Sequence, residues 1–260
     1  KKDKVLQKKA LDVLIRADKY RWIHKSTWLG APLLNLPEDM FQIQEIIFNT
    51  RPDYIIETGI AWGGSALFYA SILNLIGGKK FIGIDIFIPS RVRKLINKNK
   101  ILKNRIKLIR GSSIDKLIII KIKKLIKKSK KVLIILDSNH THDHVLKELE
   151  LYSNFVGKGQ YLICGDTIIN DIPVQTHRKR DWNKEKNPQT ALNEFMKKNP
   201  NKFKVDKNKI QSSPEIIIDY EDYNNELAEE LLAEIKPDPI YFEDDGDELP
   251  QHEKDYKGYD

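Results

Sequence analysis

Short apolar runs alternate along the chain with longer segments in which apolar residues recur every three or four positions. The runs are typical of buried β-strands, and the longer segments are typical of amphipathic helices. Strands are predicted at 54–57, 81–85, 105–110, 132–137, 160–164 and 203–206. Helices are predicted at 4–19, 38–49, 65–75, 113–128, 142–152 and 188–199. Because most strands are continuously apolar and are followed by helices, we expect an α/β fold: a Rossmann-like, doubly wound, mostly parallel sheet with helices on both faces.

This alternation divides the chain into three predicted regions. Residues 1–50 form an N-terminal helical segment, residues 51–214 form the domain of alternating strands and helices, and residues 215–260 form an acidic C-terminal extension. The extension has 17 acidic and three basic side chains, a net charge of −14, whereas the residues before it carry +22, which together make +8. We expect an extension of this composition to be extended or disordered.

The positive charge is concentrated between Arg91 and Lys131, where 17 basic residues accompany a single acid, Asp115. Such a density is compatible with binding to nucleic acid or to an anionic membrane surface. Residues 116–128, however, are apolar and basic and lack the aromatic side chains that stack on bases. We therefore interpret the run as a solvated face and expect no nucleic-acid partner.

Cysteine and apolar content indicate the compartment. The single cysteine, Cys164, excludes a disulfide framework and a cysteine-rich zinc site. No apolar run reaches the roughly 18 residues of a membrane span, and the first residues lack the apolar stretch of a signal peptide. We expect a soluble, cytoplasmic protein without a membrane span, and homo-oligomerisation stays open.

Residues able to bind a cofactor follow the first predicted strands, at the carboxyl ends where such sheets bind ligands. We expect the glycines of the first turn to let a ligand approach the backbone, and Asp85 to accept hydrogen bonds from ribose hydroxyls. The spacing is neither the Gly-x-Gly-x-x-Gly of dinucleotide-binding proteins nor a P-loop. An acid at the end of the first strand, a looser glycine turn and an acid at the end of the second strand are the arrangement seen in S-adenosylmethionine-dependent methyltransferases. The predicted cofactor-binding residues are Glu57, Gly59, Gly63, Gly64, Ser65 and Asp85, with Ser112 and Ser113 near the adenine.

A second polar cluster follows the fourth and fifth strands. Asp137 and Asp166 end these strands, and if the strands are neighbours the two carboxylates converge on one cleft, about 4.8 Å being the usual spacing of adjacent strands. Two carboxylates favour a hard cation such as Mg²⁺. His140 lies in the loop itself and is the candidate general base. Zinc ligation by the histidines at 140, 142 and 144 is an alternative, although their spacing matches no zinc signature.

Five segments together resemble the cephalosporin hydroxylase family, which includes rhamnosyl O-methyltransferases. They are Trp28-Leu-Gly30, Glu57-Thr-Gly-Ile-Ala-Trp-Gly-Gly-Ser65, Gly83-Ile-Asp85, Asp137-Ser-Asn-His-Thr-His-Asp-His-Val145 with Glu148-Leu149, and Asp166-Thr167. The resemblance covers about residues 18–206. It implies a class I methyltransferase fold, S-adenosylmethionine and Mg²⁺ as cofactors, and methylation of a hydroxyl on a small molecule or sugar.

One position departs from that family, and two other functions stay open. The family commonly has an acidic pair after the fifth strand, whereas this chain has Gly165-Asp166, so one expected metal ligand is absent. The alternatives are an α/β enzyme that binds a nucleotide sugar through the same turn, and a nucleic-acid-binding protein whose methyltransferase-like domain has lost its chemistry.

Overall fold

The computed structural model describes residues 3–18, 20–173, 180–206 and 216–220. The helices are α1 (Lys4–Asp18), α2 (Pro37–Thr50), α3 (Gly64–Ile76), α4 (Ser90–Lys98), α5 (Lys116–Ile126), α6 (His142–Tyr152) and α7 (Pro188–Lys198). The strands are β1 (Thr27–Trp28), β2 (Ala31–Pro32), β3 (Tyr54–Thr58), β4 (Lys80–Asp85), β5 (Ile106–Arg110), β6 (Val132–Leu136), β7 (Tyr161–Cys164), β8 (Phe203–Val205) and β9 (Ile216–Tyr220). Short 3₁₀ turns lie at Ile23–Lys25, Lys103–Arg105 and Thr167–Asn170.

Seven strands form the central sheet, in the order β5–β4–β3–β6–β7–β9–β8. The first five pair in parallel, and β9 pairs antiparallel with both β7 and β8. Strands β1 and β2 form a separate antiparallel hairpin before the sheet. The prediction of a doubly wound, mostly parallel α/β fold is confirmed, as are the six predicted strands to within a few residues.

Helices cover both faces of the sheet because alternate strand residues point to opposite sides. In β3, Ile55 packs in the core formed with α2, α3 and α4, whereas Ile56 packs in the core formed with α5, α6 and α7. Both side chains are fully buried. Parallel strands buried on two faces are expected to be largely apolar, and this explains the unbroken apolar run of β6 and the apolar run Tyr54–Ile56 of β3.

Helix α5 begins later than the sequence pattern predicts. The side chain of Asp115 accepts a hydrogen bond from the backbone N–H of Leu117 at 2.8 Å and so caps the helix. The predicted helix at 113–128 therefore starts at Lys116. As a result, Ser112 and Ser113 remain in the turn that follows β5, at the same edge of the sheet as the other predicted site residues.

The far edge of the sheet differs from the prediction. Strand β9 lies within the region assigned to the acidic extension from residue 215, yet it is hydrogen-bonded between β7 and β8. Ile216 pairs with Cys164 and Ile218 pairs with Leu162. The sheet thus extends past the predicted boundary at Pro214. Residues 221–260, the rest of the predicted extension, lie outside the described residues.

The basic run surrounds the edge strand β5. Helices α4 and α5 pack on opposite faces of the sheet there, and Lys107 and Arg110 of β5 are exposed. Charged side chains on an edge strand discourage pairing with the strands of other molecules. Across the described part of the chain, no helix combines the length and apolar character needed to cross a bilayer.

Candidate active site

Four adjacent parallel strands bring the predicted site residues to one edge of the sheet. Glu57 lies within β3 and Asp85 ends β4, and these strands pair side by side. Asp137 directly follows β6, and Asp166 lies two residues after β7. The pairing of Leu136 with Cys164 shows that β6 and β7 are neighbours, as the prediction of a shared cleft required.

The carboxylate of Asp85 is bound by the turn after β3. Its Oδ2 accepts hydrogen bonds from the backbone N–H groups of Ile60 at 2.9 Å and Ala61 at 3.3 Å, and its Oδ1 accepts from Phe87 at 3.1 Å. Burial raises the pKa of Asp85, and these backbone donors counteract part of that effect. A carboxylate held this way fixes the shape of the turn, and its contact with the ribose of a cofactor stays a prediction.

The glycines of this turn are required by packing within the protein. A Cβ on Gly59, whose φ is +80°, would collide with the backbone of Asp137, and a Cβ on Gly64 would collide with the backbone of Pro32. A Cβ on Gly63, whose φ is +83°, would lie 2.8 Å from Val92 Cγ1. The expectation that Gly63 and Gly64 open the backbone to a ligand is therefore not needed to explain them. Contact between a cofactor and the amides of this turn stays a prediction.

Glu57 and Ser65 are held together beneath the turn. Ser65 Oγ donates a hydrogen bond to Glu57 Oε2 at 2.8 Å, and both side chains are buried. Burial, together with the negative charges of Asp137 and Asp85, raises the pKa of Glu57 well above its usual value. The raised pKa favours the protonated form of this carboxyl group, which can both donate and accept hydrogen bonds.

Asp137, His140 and Asp166 form a cluster in which one ligand atom from each lies within 4.8 Å of the others. His140 Nδ1 is 3.0 Å from Asp166 Oδ2. Burial and the charge of Asp166 raise the pKa of Asp137 to about 7. Burial lowers the pKa of His140, but the charges of Asp166 and Asp137 and the hydrogen bond to Asp166 outweigh it and raise that pKa to about 9. The donor set suits a divalent cation, because it offers carboxylate oxygens and one imidazole nitrogen.

Two features near the cluster were not deduced from the sequence. Asn35, in the loop after β2, points its Nδ2 at Asp137 Oδ2 from 3.5 Å. A Cβ on Gly165 would lie 3.0 Å from the carbonyl oxygen of Leu136 and 3.3 Å from the Asp137 side chain. The glycine that replaces the family's usual acid is therefore tightly enclosed by the end of β6.

The three histidines of the motif after β6 have different partners. His140 contacts Asp166 in the cluster. His142 joins α6 to α7, since its Nδ1 is 2.8 Å from Thr190 Oγ1 and its Nε2 is 3.1 Å from Glu194 Oε2. His144 turns toward Ser113 and is described below. Among the residues that the structure describes, the group placed to share an ion contains His140 alone of the three, and this does not favour the zinc alternative.

A buried acid, Glu148, also lies behind the site. It is fully buried, and its Oε1 accepts a hydrogen bond from Ser138 Oγ at 2.7 Å. His144 Nε2 lies 3.6 Å from the same oxygen. Glu148 belongs to one of the segments that resemble the family, but no function was predicted for it from the sequence. The signal that could have found it is its place between Val145 and Leu149, on the apolar face of α6.

Comparison with known proteins adds a sequence family and a set of similar folds. The family described as rhamnosyl O-methyltransferase/CmcI matches residues 20–223. The rhamnosyl O-methyltransferase of Mycobacterium tuberculosis strain H37Rv is 32% identical over 157 residues, which is 58% of this chain and 60% of that protein. That of Mycobacterium leprae is 32% identical over 151 residues, 57% of this chain and 63% of that protein. The chain thus spans about three fifths of the length of these relatives.

Solved structures show the same fold at lower identity. An apo-structure of CmcI has a TM-score of 0.54 and 18% identity, with 77% of this chain and 78% of that chain covered. A structure of CmcI with Mg and SAM has a TM-score of 0.53 and 17% identity, with 76% and 77% covered.

Proposed function

Because the chain belongs to the rhamnosyl O-methyltransferase/CmcI family, we propose that it transfers the methyl group of S-adenosylmethionine to a hydroxyl group of a sugar or another small molecule, with the assistance of Mg²⁺. The observation that carries this proposal is the Asp137–His140–Asp166 cluster, which lies at the same edge of the sheet as the turn closed by Asp85. A cofactor site beside a cation site suits such a reaction, because the methyl donor and the acceptor hydroxyl must be aligned.

The cofactor would lie across the carboxyl ends of β3, β4 and β5. We assign it to Glu57, Gly59, Gly63, Gly64, Ser65, Asp85, Ser112 and Ser113. Asp85 would accept hydrogen bonds from the ribose hydroxyls. The turn into α3 supplies backbone N–H groups, which favour a negatively charged group such as a carboxylate. Ser113 is buried and Ser112 is half-buried in the turn after β5, where the adenine would lie.

The cation would be held by Asp137 and Asp166, with His140 beside them. A bound Mg²⁺ would orient the acceptor hydroxyl and lower its pKa. The residues fit such an ion, because the half-buried Asp137 carboxylate lies close to Asp166, and among the described residues the Asn35 amide and His140 offset its charge. Gly165 leaves the site one carboxylate short of the family's usual set, so we expect weaker binding than at a three-carboxylate site.

His140 would remove the proton from the acceptor. Asp166 holds Nδ1, and this orients the ring and leaves Nε2 as the atom that can accept a proton. The two neighbouring carboxylates hold a proton on His140 at neutral pH, as its pKa of about 9 indicates. Neutralising their charge would weaken that hold and shift His140 toward its basic form.

Calorimetric titration with S-adenosylhomocysteine, with and without Mg²⁺, tests the proposal, followed by methyl transfer to a panel of hydroxylated sugars. We expect saturable binding of S-adenosylhomocysteine and transfer that Mg²⁺ stimulates. Steeply salt-dependent binding of nucleic acid without affinity for S-adenosylhomocysteine would favour the nucleic-acid alternative. Binding of a nucleotide sugar in place of S-adenosylhomocysteine would favour the other alternative.

A further inference from the structure

A partly buried chain of hydrogen bonds connects the turn after β5 with the loop after β6. His144 Nε2, on α6, lies 3.0 Å from Ser113 Oγ and 3.3 Å from Ser138 Oγ. Ser138 Oγ donates to Glu148 Oε1 at 2.7 Å. At the other end, the buried Tyr152 hydroxyl donates to the carbonyl oxygen of Ser113 at 2.9 Å.

The distances allow one consistent set of donors and acceptors. A serine hydroxyl has one proton, and that of Ser138 is donated to Glu148. The Ser138 oxygen can then accept a hydrogen bond from His144 Nε2 in the tautomer that carries a proton on that nitrogen. The same N–H lies within hydrogen-bond distance of Ser113 Oγ. His144 therefore contacts both serines through one atom.

Stability alone does not account for this arrangement. Glu148 is completely buried, and its Oε2 has no hydrogen-bond partner among the described residues. Burial of a carboxylate with an unsatisfied oxygen is unfavourable, and an apolar side chain on this face of α6 would avoid that cost. What the network does achieve is to fix Ser138 and Ser113 with respect to α6.

The two serines belong to different halves of the site. Ser138 directly follows Asp137, and Ser113 lies in the turn assigned to the adenine. Strands β5 and β6 are separated in the sheet by β4 and β3, so no strand pairing connects these two segments directly. His144 connects them through α6.

We infer that His144 is a positioning residue that couples the cofactor half of the site to the cation half. The inference rests on the proposed function for the identity of the two ligands. A ligand that orders the turn at Ser113 also orders the loop at Ser138, and by thermodynamic reciprocity each ligand raises the affinity for the other by the same factor. A contact chain becomes a coupling only when the effect is measured, so the test measures it directly.

The first arm of the test uses the ligand-free protein and hydrogen–deuterium exchange. His144→Leu removes the polar contacts, whereas His144→Gln places an amide near the position of Nε2. We expect His144→Leu to raise exchange roughly tenfold or more in both 111–115 and 137–141, on the scale of a lost buried hydrogen bond, and His144→Gln to restore most of the protection. His142→Leu is the matched control, since it removes a histidine of the same helix that contacts Thr190 and Glu194 instead. It should raise exchange in α7 only.

The second arm measures binding of S-adenosylhomocysteine with and without Mg²⁺. In the natural chain we expect Mg²⁺ to tighten S-adenosylhomocysteine binding by about fivefold or more, the lower end of common coupling factors. His144→Leu should bring the factor close to one while both ligands still bind, and His144→Gln should recover it. If His144→Leu does not fold, Ser138→Ala interrupts the same connection with the loss of one oxygen and should also reduce the factor.

The outcomes separate the two proposals. A natural chain that binds neither ligand contradicts the proposed function, and the exchange arm alone then decides whether His144 ties the two segments together. If His144→Leu binds both ligands and Mg²⁺ tightens S-adenosylhomocysteine binding by the same factor as in the natural chain, the proposed function is unaffected and the inference is overturned. Exchange that rises in only one of the two segments also overturns it. Loss of the factor in His142→Leu would show a general loosening of α6 and would contradict a specific role for His144.

Discussion

The Asp166 carboxylate can interact with a protonated His140 or with a bound cation, and each of these reduces the negative charge available to the other. Its Oδ2 lies 3.0 Å from His140 Nδ1, and its carboxylate is also one of the three groups placed to share an ion. A protonated His140 neutralises part of the negative charge that would attract a cation. Protonation and cation binding are therefore linked at this residue, since each lowers the affinity of the site for the other.

The linkage predicts how cation affinity depends on pH. The pKa is about 7 for Asp137 and about 9 for His140, so both groups are protonated at acidic pH. A cation then has to displace the proton of Asp137 and is repelled by the positive charge of His140. We therefore expect Mg²⁺ affinity to rise from about pH 6 to about pH 9. Calorimetric titrations with Mg²⁺ across this range check the sign. An affinity that is flat or falls with pH would contradict the assigned cluster.

Replacing Asp137 should separate the roles of the cation and the cofactor. Asp137→Asn keeps the shape of the side chain but removes a charge from the cluster. We expect it to abolish Mg²⁺-stimulated methyl transfer and to leave S-adenosylmethionine binding, measured without Mg²⁺, nearly intact, because the residues assigned to the cofactor at the ends of β3, β4 and β5 are unchanged. The exposed Asp143→Asn, six residues later, is the control and should have no effect. Activity that persists unchanged in excess chelator would exclude the metal mechanism and leave His140 as the main candidate.

Asp85→Ala should weaken binding of S-adenosylhomocysteine by roughly 1–3 kcal/mol, because charge-assisted hydrogen bonds are lost. The variant also removes the acceptor for Ile60 and Ala61, so Asp85→Asn, which keeps one oxygen, should bind with intermediate affinity. Asp12→Ala on the exposed surface of α1 serves as the control. Equal affinity in the natural chain and Asp85→Ala would place the ribose elsewhere.

At the scale of secondary-structure elements, sequence patterns predicted what depends on local order. The strands β3, β4 and β6 follow from apolar runs, since a strand buried on both faces needs apolar residues throughout. The pairing of β6 with β7, which brings Asp137 to Asp166, was stated only as a condition, because strand order depends on contacts between distant segments. Strand β9 was missed because its short apolar run stands among acidic residues, where composition indicated an extension.

The hydrogen bonds of Glu148 and His144 could not be predicted from the sequence either, because they also join segments that are separated along the chain. Glu148 was seen as part of a motif, but its partner Ser138 lies ten residues away and Ser113 lies in a different loop. The glycine pattern correctly predicted a turn after β3. It did not predict that packing within the protein is what requires the glycines. Gly64 is explained by the backbone of Pro32, in a hairpin that no pattern placed against α3.

Asp53 provides a test at the opposite end of the strands. Its side chain accepts hydrogen bonds from Lys79 at 2.9 Å and Ser129 at 2.8 Å, so it ties the starts of β3, β4 and β6 together. Burial raises the pKa of Asp53, but these hydrogen bonds and the nearby lysine charges outweigh it and lower that pKa. The stabilisation is therefore present above the unfolded pKa of about 3.9 and is lost as the pH falls through the folded value.

We expect Asp53→Asn to reduce the free energy of unfolding by about 1–2 kcal/mol at neutral pH, the usual size of hydrogen bonds to a charged group. Urea unfolding measures the difference, which should shrink at about pH 3, below the unfolded pKa of about 3.9, where the stabilisation by the carboxylate is being lost. Asp181→Asn, at an exposed position, is the matched control. A difference that grows at acidic pH would contradict this assignment.

At the scale of the whole molecule, the charge distribution follows the architecture. The basic residues of 91–131 surround the edge strand β5, and the polar residues assigned to the reaction lie at the carboxyl ends of β3, β4, β6 and β7. An edge position accounts for exposed lysines without a polyanionic partner. This favours the solvated face expected from the sequence.

The prediction at this scale is that the basic run does not bind nucleic acid tightly. At about 0.15 M salt we expect only weak, sequence-independent binding of duplex or single-stranded DNA and RNA, with a dissociation constant no tighter than about 10⁻⁶ M. Fluorescence anisotropy measures it. Tight binding that disappears when Lys121, Lys123 and Lys124 are neutralised would show that the run is a nucleic-acid site.

The position of β9 has a consequence for folding of the chain during its synthesis on the ribosome. Strand β8 is synthesised first, yet β9 lies between it and β7 in the finished sheet. Until Tyr220 has left the exit tunnel, β7 presents an open edge and β8 lacks its pairing strand. The five parallel strands can pair before β9 has been synthesised. The nascent chain therefore passes through a stage in which the edge of β7 is unpaired, and chaperones bind surfaces of this kind.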